Sequence, residues 1–453
     1  MRSKTVSFVS VLVLVGWLVF AASLNAQPSR YRVVNLGNLT GSVGSGNSLN
    51  DIGWAEGFAT LADNTIEHAT VWVYGLKSDL GTLGGPNSDV QWPNKNTHGL
   101  VSGWSETSAM NPYDESWSCT AFNPTGIPTG HVCVGFRWQW GEMTALPTLG
   151  GYNGFAAGNN DRGEIVGWAE TNYHDPTCAK QAHNQQVLQF LPVVWGPGEN
   201  DMRKLPTYPG DPDGAATAAN SEGDVVGISG TCYVAVGALS AKHALLWRRD
   251  GDLVNLGSLG GYGWNTPMAV NRGGDVVGFS DLPGDYVNGV LTANFHAFLW
   301  SRELGRMTDL GVLPGDTLSE ALDINDRGQI VGISLPSFRA FLYEHGKMWD
   351  LNGLISGNPG LFLIEGGGIN NRGEITGQAC VIADGGCPLG SDTPAYLAIP
   401  EQREEERDLD AQATNDSASV NNSIVLSDAV RQQILRRLNF GHYAPEVVQP
   451  QAR

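Results

Sequence analysis

Two kinds of local cluster in the sequence could bind a metal ion. His174, Cys178 and His183 lie close together in the chain, and imidazole and thiolate groups are common ligands of zinc and copper. Acidic turns at 210–214 and 314–316 carry the carboxylate oxygens that calcium prefers. However, the spacing of His174, Cys178 and His183 matches no usual metal-binding motif. Aspartate beside glycine is common in turns that bind no metal. We therefore predict no metal site and no cofactor, with calcium as the remaining alternative.

Catalytic residues are not singled out by any motif. A glycosidase needs two carboxylates that face each other across a cleft, and Glu115 and Asp175 lie in segments where such a pair could form. Nothing distinguishes these two from the other acidic residues, and no Gly-x-Ser-x-Gly, phosphate-loop or His-Glu-x-x-His motif occurs. We predict a protein without catalytic residues, and a polysaccharide hydrolase or lyase is the alternative.

Aromatic residues are the better indication of a binding surface. Exposed rings interleaved with Asn and Gly suit carbohydrate or peptide ligands, although such rings also pack into the local core of a loop. Six aromatic residues lie in segments that vary between the sequence repeats described next. These candidates for a binding face are Tyr113, Trp117, Tyr173, Tyr233, Tyr262 and Trp264.

The pattern Asn-x-x-Gly-x-x-x-Gly recurs seven times along the chain. Asn suits the first position of a type I turn and Gly suits the left-handed position that follows, so each copy predicts a β-hairpin with a bulge. The seven copies begin at Asn50, Asn96, Asn160, Asn220, Asn271, Asn325 and Asn370.

Further strand signals follow each hairpin. One is a hydrophobic run such as His-Ala-Phe-Leu-Trp at 296–300, and after six of these comes a turn and a run such as Met-Thr-Asp-Leu-Gly at 307–311. One unit therefore holds four short strands, labelled a to d, which is the composition of a β-propeller blade.

The ends of the array indicate a closed ring. The last unit stops after strand c at 395–400, whereas residues 31–37 have the pattern of a strand d with no unit before it. Pairing the two closes an all-β, seven-bladed propeller over residues 27–400 and removes an open sheet edge. An open β-solenoid is the alternative.

These motifs carry a family resemblance. The His-Ala-Phe strand at 296–298, the Asn-Asp-Arg-Gly hairpin at 325–328 and the Asp-Leu-Gly-x-Leu-Gly-Gly connector at 79–85 resemble the repeats of extracellular proteins called the HAF family. The resemblance covers about residues 31–400. It implies a secreted bacterial repeat protein, and it brings no catalytic residues because the family has no established activity.

Function is expected where the repeats differ, which is chiefly between strands b and c. Large insertions occur at about 105–134 and 171–191, and shorter ones near 229–242 and 281–295. If strands a to d run outward from the axis, all of these loops share one face, and loops on a rigid scaffold commonly carry function. Histidines that open strand c recur instead from blade to blade and are predicted to be structural: His68, His243 and His296.

The six cysteines fit a secreted chain with stapled loops. Their positions favour three pairs, Cys119 with Cys133, Cys178 with Cys232, and Cys380 with Cys387, while pairing of Cys133 with Cys178 stays open.

Both ends of the chain differ in composition from the repeats. Residues 1–26 have the basic start, apolar run and small-residue exit of a secretory signal peptide, with a retained anchor as the alternative. Residues 401–426 predict a disordered charged and polar linker, and 427–453 a short helix and tail that either docks on the ring or binds a partner. No later run is long enough to span a membrane.

The net charge of -19 argues against a nucleic-acid partner, since a phosphate backbone requires a basic face. The sequence therefore predicts a secreted, extracellular or periplasmic, non-catalytic binding or scaffold protein for a glycan or protein ligand.

Overall fold

The chain forms a seven-bladed β-propeller of four-stranded antiparallel sheets, as the repeats predict. The computed structural model describes residues 28–115, 117–120, 122–178, 186–198, 201–232, 242–261, 263–287, 290–291, 293–383, 385–388, 390–401 and 426–438. The predicted signal peptide and almost all of the predicted linker lie outside these ranges.

Strands a to d of each blade follow one another along the chain in the first six blades. In blade one they are Gly44–Leu49, Ala55–Thr60, Glu67–Val73 and Leu76–Asp79. In blade two they are Gly84–Asp89, Val101–Met110, His131–Gln139 and Glu142–Ala145. In blade three they are Gly150–Asn159, Ile165–His174, Leu188–Trp195 and Met202–Lys204.

The same order continues in the next three blades. In blade four the strands are Asp213–Ala219, Val225–Gly230, His243–Trp247 and Leu253–Asn255. In blade five they are Asn265–Val270, Val276–Asp281, Phe295–Ser301 and Arg306–Gly311. In blade six they are Leu318–Ile324, Ile330–Leu335, Arg339–Glu344 and Lys347–Asp350.

Blade seven joins the two ends of the array. Its inner strand is split into Leu361–Leu363 and Gly368–Ile369, both paired with Ile375–Val381. The third strand, Ala395–Pro400, pairs with the N-terminal strand Tyr31–Gly37, which supplies strand d. This pairing confirms the predicted closure and leaves no open solenoid edge between the first and last repeats.

The helical elements are short and lie in b–c loops, between blades six and seven, or after the last blade. They are an α-helix at Trp117–Thr120, an α-helix at Asp428–Arg437, and 3-10 turns at Ala62–Asn64 and Leu351–Leu354. A small extra hairpin, Tyr286–Val287 with Val290–Leu291, lies in the b–c loop of blade five. No helix among the described residues is long and apolar enough to cross a membrane.

Both glycines of the repeated motif have a clear physical cause. The first adopts the left-handed turn conformation, as Gly163 does with φ of 75°, where a side chain would be strained. The second packs directly against strand a, because a Cβ on Gly278 would lie 1.9 Å from the carbonyl oxygen of Thr266. The same clash, at 1.9 to 2.1 Å, would occur at Gly57, Gly103, Gly167, Gly227, Gly332 and Gly377.

The histidines of strand c pair with aspartates, as a structural role predicts. Nδ1 of His68 lies 2.8 Å from Oδ1 of Asp79 on strand d, and His296 repeats this pairing with Asp309 at 2.9 Å. His243 instead contacts Asp211 in the connector before its own blade, at 2.6 Å. The histidine of the repeat therefore fastens the outer edge of a blade.

Apolar side chains fill the space between neighbouring blades. Ala269 and Val277 of blade five pack with Ala321 and Phe341 of blade six in one buried cluster. The interface between the last and first blades is built in the same way, with Trp72 buried beside Ala395. Each blade buries one face of its sheet against the preceding blade and the other face against the following blade. Ring closure therefore also buries the faces that the first and last blades would otherwise expose.

Candidate functional site

The large insertions lie together on one face of the ring, here called the insertion-bearing face. In blades two and three, strands b and c extend as a ribbon beyond the sheet, and loops 111–130 and 175–187 connect them. The Asn-x-x-Gly turns lie at the opposite ends of the strands, since the strands within each blade are antiparallel.

Three disulfides fasten these loops. They join Cys119 with Cys133 inside the blade-two insertion, Cys178 with Cys232 between the loops of blades three and four, and Cys380 with Cys387 in blade seven. These are the pairs that the loop positions favoured, and Cys133 does not pair with Cys178. Three disulfides indicate an oxidising environment.

An exposed group of aromatic rings bridges blades two and three on this face. The ring centroid of Tyr113 lies 5.8 Å from that of Tyr152 and 5.6 Å from that of His174, both in edge-on arrangements. Tyr113 and Tyr152 each keep 42% of their surface exposed, and Tyr173 keeps 69%. Tyr113, Tyr152 and His174 are called the tyrosine surface below, whereas Tyr173 precedes His174 in the same strand and therefore faces the other side of the ribbon.

A buried glutamate connects the two loops behind the tyrosine surface. Oε1 of Glu115 in the blade-two insertion accepts hydrogen bonds from the backbone N–H groups of Val187 and Leu188 in blade three, the second at 2.7 Å. Asn111 completes the turn, because its Oδ1 accepts from the N–H of Tyr113 and its Nδ2 donates to the carbonyl of Glu115, both at 2.9 Å. Burial raises the pKa of Glu115, and its hydrogen bonds to two backbone N–H groups of blade three position the loop backbone.

A second buried glutamate holds Tyr152. Oε2 of Glu170 accepts from the backbone N–H of Tyr152 at 3.1 Å and from that of Asn153 at 2.7 Å. Burial, with a smaller effect of the nearby Glu115 carboxylate, raises the pKa of Glu170 to about 8. The tyrosine surface is thus supported from both blades by carboxyl groups that the sequence did not single out.

The remaining aromatic candidates and His183 are either buried or outside the described residues. Trp264, expected on the binding face, is only 1% exposed, and its Nε1 donates to the hydroxyl oxygen of Thr266 inside the core. An aromatic ring in a connector packs inward wherever a pocket between strands can accept it, which corrects that expectation. Tyr233, Tyr262, His183 and the side chain of Trp117 lie outside the described residues.

The carboxylates considered above as metal ligands or catalytic groups accept hydrogen bonds or form ion pairs with neighbouring residues of the protein. Asp175 accepts from the hydroxyl and backbone N–H of Thr177. In the acidic turns, Asp211 accepts from Ser229 Oγ at 2.8 Å, and Asp316 contacts Arg339 at 2.9 Å. Within the part of the chain that the structure describes, no group of three or more His, Cys, Asp and Glu side chains could hold a metal ion.

Acidic residues occur on one side of the central channel. One residue of each inner strand, or beside it in blade seven, has its carbonyl oxygen against the second motif glycine. The side chain at this position differs in charge between blades. It is acidic in blades two, six and seven, where Asp89, Glu320 and Glu365 are buried, and it is Phe155, Ala215 and Thr266 in blades three to five. Aligning this position between repeats would have revealed the acidic side from sequence.

The C-terminal helix places an arginine among these carboxylates. Arg437 forms ion pairs with Glu67 of blade one and with Asp89, the second at 3.0 Å, and its Cζ lies 3.6 Å from the ring centroid of Phe58. Both carboxylates are fully buried. Burial raises the pKa of Asp89 to about 7 although the Arg437 guanidinium opposes that rise. The three ring residues that surround Arg437, namely Phe58, Glu67 and Asp89, are called the arginine site.

Little space remains beside the arginine site. A cavity of about 40 Å³ lies between the ring and the helix, and Gln91, Glu320 and Glu365 contribute to its wall. At the opposite face, a polar cavity of about 360 Å³ is lined by residues of the repeated turns, including Asp161 and Asp326. Their carboxylates accept backbone hydrogen bonds from neighbouring turns, at 2.8 Å from Thr97 and from Arg272 respectively.

No protein-family model matches the chain, and no curated protein is significantly similar to it. Solved structures similar to it include an acylaminoacyl peptidase of Pyrococcus horikoshii (9% identity, TM-score 0.41, covering 78% of this chain and 50% of that one). Virginiamycin B lyase of Staphylococcus aureus is 10% identical with a TM-score of 0.40, over 82% of this chain and 99% of that one. The chain thus spans about half the length of the peptidase, and the propeller assignment rests on its own strand topology.

Proposed function

We propose that the protein is a secreted, non-catalytic binding module related to HAF-repeat proteins, and that it binds an extracellular glycan through the tyrosine surface. The observation that carries the proposal is the contact of Tyr113 with Tyr152 and His174. Rings from two blades form one exposed aromatic surface there. Aromatic faces of this kind pack against the apolar faces of sugar rings and also supply a polar edge.

The support behind these rings favours a role in recognition. Glu115 and Glu170 fix the backbone on both sides, and the disulfide between Cys119 and Cys133 closes the insertion. A surface ordered before binding loses less conformational entropy when the ligand arrives.

The alternative, a polysaccharide hydrolase or lyase, has less support in the geometry. Glu115 and Asp175 both accept backbone hydrogen bonds, Glu115 from Leu188 of blade three and Asp175 from Cys178 of its own loop. The carboxylates at the channel contact Arg437 beside a cavity of about 40 Å³, which is room for water rather than for a sugar ring.

A glycan array probed with the full-length mature chain tests the proposal, followed by calorimetry with the best oligosaccharide. We expect Tyr113→Ala to weaken binding at least tenfold, about 1.4 kcal/mol. The matched control is Trp140→Ala, because Trp140 is 87% exposed and lies on the c–d turn of blade two at the opposite face. Absence of any specific glycan, or equal losses in the two variants, would contradict the proposal.

A further inference from the structure

The C-terminal helix closes the channel at the insertion-bearing face. It begins after Ser427, whose Oγ accepts from the backbone N–H of Val430 at 3.4 Å. Its apolar side chains Ile434 and Leu438 are buried in the central cluster that also contains Trp92 of the ring. The helix is therefore packed on the ring.

Besides the contacts of Arg437 with blades one and two, the helix segment contacts the insertion of blade two and also blades six and seven. Arg436 donates to the carbonyl oxygen of Pro124 in the blade-two insertion at 2.8 Å. The guanidinium of Arg431 lies 5.7 Å from the ring centroid of Phe338 in blade six. At the start of the helix, the N–H of Ser427 donates to the carbonyl of Cys387 in blade seven at 3.2 Å. These blades include the acidic side of the channel.

The ring alone supplies every group that recognises Arg437. Phe58 and Glu67 come from blade one and Asp89 from blade two, so an aromatic face and two carboxylates surround one guanidinium. A planar guanidinium can donate to two carboxylates at once and stack on an aromatic face, which distinguishes arginine from lysine. These three ring residues together form a receptor for a guanidinium group.

The two carboxylates of the receptor favour a cation as its occupant. Glu67 is fully buried, its Oε2 contacts Arg437, and its Oε1 has no hydrogen-bond partner among the described residues. Removing one partner of a buried ion pair is strongly unfavourable because a buried charge is left uncompensated. When the helix leaves, another guanidinium is the group best suited to replace it.

The present occupant is suited to exchange. The helix has ten residues. Isolated helices of this length are only marginally stable in water, so the helix depends on its contacts with the ring for its stability. Within the described chain, Nε of Arg431, Arg436 and Arg437 has no hydrogen-bond partner. Residues 402–425 separate the helix from the ring, and 24 residues reach at most roughly 80 Å, enough to allow docking and release.

We propose that the arginine site and the adjoining apolar floor are a binding site for an arginine-bearing amphipathic helix of a partner protein. The C-terminal helix is the built-in occupant with which that partner competes. This inference concerns a different part of the face from the tyrosine surface and does not depend on glycan binding.

A labelled synthetic peptide of residues 424–442 is the probe, measured by fluorescence anisotropy with the full-length chain. Ile434→Asp in the chain places a charge in the apolar floor and displaces the tethered helix. We expect the peptide to bind this variant at least tenfold more tightly than the wild-type chain, whose site is filled. Gln432→Ala, a change on the exposed side of the helix, should behave like wild type.

Two further changes test the guanidinium receptor. An Arg437→Gln peptide should bind the Ile434→Asp chain at least tenfold more weakly than the parent peptide, and Glu67→Gln in that chain should weaken the parent peptide as well. Arg437→Gln in the full chain is a second way to empty the site if Ile434→Asp does not fold.

The proposal is overturned if the peptide fails to bind an emptied, folded chain, or if it binds wild type equally well. It is also overturned if the Arg437→Gln peptide binds as tightly as its parent. A wild-type chain that is dimeric by light scattering and becomes monomeric on Arg437→Gln would identify the occupant as a second copy instead of a partner protein.

Discussion

Nδ2 of Asn370 in blade seven donates a hydrogen bond to the backbone carbonyl oxygen of Asn50 in blade one, at 3.2 Å. The two residues are the last and first copies of the same motif position, 320 residues apart. Four other neighbouring pairs form the same bond, at 2.8 to 3.4 Å: Asn160 with Asn220, Asn220 with Asn271, Asn271 with Asn325, and Asn325 with Asn370. Ring closure therefore uses the interaction that also joins successive blades.

This double role explains why the motif contains Asn and not Asp. Oδ1 of Asn220 accepts from the N–H groups of Glu222 and Asp224 within its own turn, at 3.1 and 2.9 Å, while Nδ2 donates to the carbonyl of Asn271 at 2.9 Å. An aspartate keeps the acceptor and loses the donor. Its buried carboxylate would then face a carbonyl oxygen.

We expect Asn220→Asp to lower the free energy of unfolding by about 2–3 kcal/mol at pH 7, as expected for a buried charged group without its partner. Urea denaturation checks this value. The loss should shrink under acidic conditions, since a protonated carboxyl group can again donate to the carbonyl of Asn271. Asn358→Asp is the control, because Asn358 is exposed and its side chain accepts from Gly360 N–H. Equal effects of the two changes would contradict the explanation.

The second glycine of the motif gives a steric prediction. A Cβ at Gly278 would lie 1.9 Å from the carbonyl oxygen of Thr266, and the next nearest atoms are also backbone atoms of strand a, which cannot move aside as a flexible side chain would. We expect Gly278→Ala to destabilise the ring by about 3 kcal/mol or more, at the upper end for overpacking. Gly353→Ala should be close to neutral in the same thermal denaturation experiment, because nothing lies within 4 Å of its Cβ position. A small effect at Gly278 would mean that strands a and b can move apart to accept a methyl group, and it would contradict the steric explanation.

Repetition made the fold predictable. Each Asn and each Gly of the motif satisfies a local requirement of the turn or of the contact between strands, so seven copies predict seven blades. The strand at 31–37 has no blade before it and the unit ending at 395–400 lacks a strand d, which together predict the closure. The disulfide positions were predictable for the same reason, because the loops are located by the repeats around them.

The candidate site was less predictable because its contacts join distant segments. Nothing in the local sequence of Arg437 indicates that it contacts Glu67, 370 residues away, and helix periodicity alone allows either docking or a free tail. Trp264 shows the same limit for aromatic residues, since an indole in a connector packs inward or outward according to neighbours that only the fold brings together. Glu115 and Glu170 gave no signal because buried carboxylates resemble surface ones in sequence.

The pairing of His296 with Asp309 predicts a mild dependence of stability on acid. Burial alone would raise the pKa of Asp309, but hydrogen bonds from His296 and from the N–H of Gly311 outweigh it and lower that pKa. Stability from this carboxylate is therefore present above its unfolded pKa and is lost as pH falls through the lower folded value. Because the pair is partly exposed, Asp309→Asn should cost only about 0.2–1 kcal/mol at pH 7.

Chemical denaturation of wild type and Asp309→Asn at pH 7 and at pH 3 measures this difference. We expect the gap between the two proteins to narrow at the lower pH. Asp250→Asn, a change at an exposed turn between strands c and d of blade four, should show no gap at either pH. A gap for Asp309→Asn that widens in acid would exclude the assigned role.

Asp213 predicts the opposite dependence. Burial and the neighbouring carboxyl group of Asp175 raise the pKa of Asp213 to about 9, although hydrogen bonds from Gln186 and from the N–H of Phe190 act against the rise. The folded ring therefore holds a proton that the unfolded chain releases near pH 4. The resulting stability is fully present below that pH and is lost as pH rises through about 9.

Asp213→Asn removes this titration, because an amide stays neutral at every pH. Unfolding midpoints at pH 5, 7 and 9 should show the variant gaining stability relative to wild type at each step upward, whatever its absolute offset at pH 5. Glu222→Gln changes an exposed carboxylate in the same blade and should keep a constant difference from wild type. A constant difference for Asp213→Asn as well would show that Asp213 does not hold a proton in the folded ring between pH 5 and pH 9.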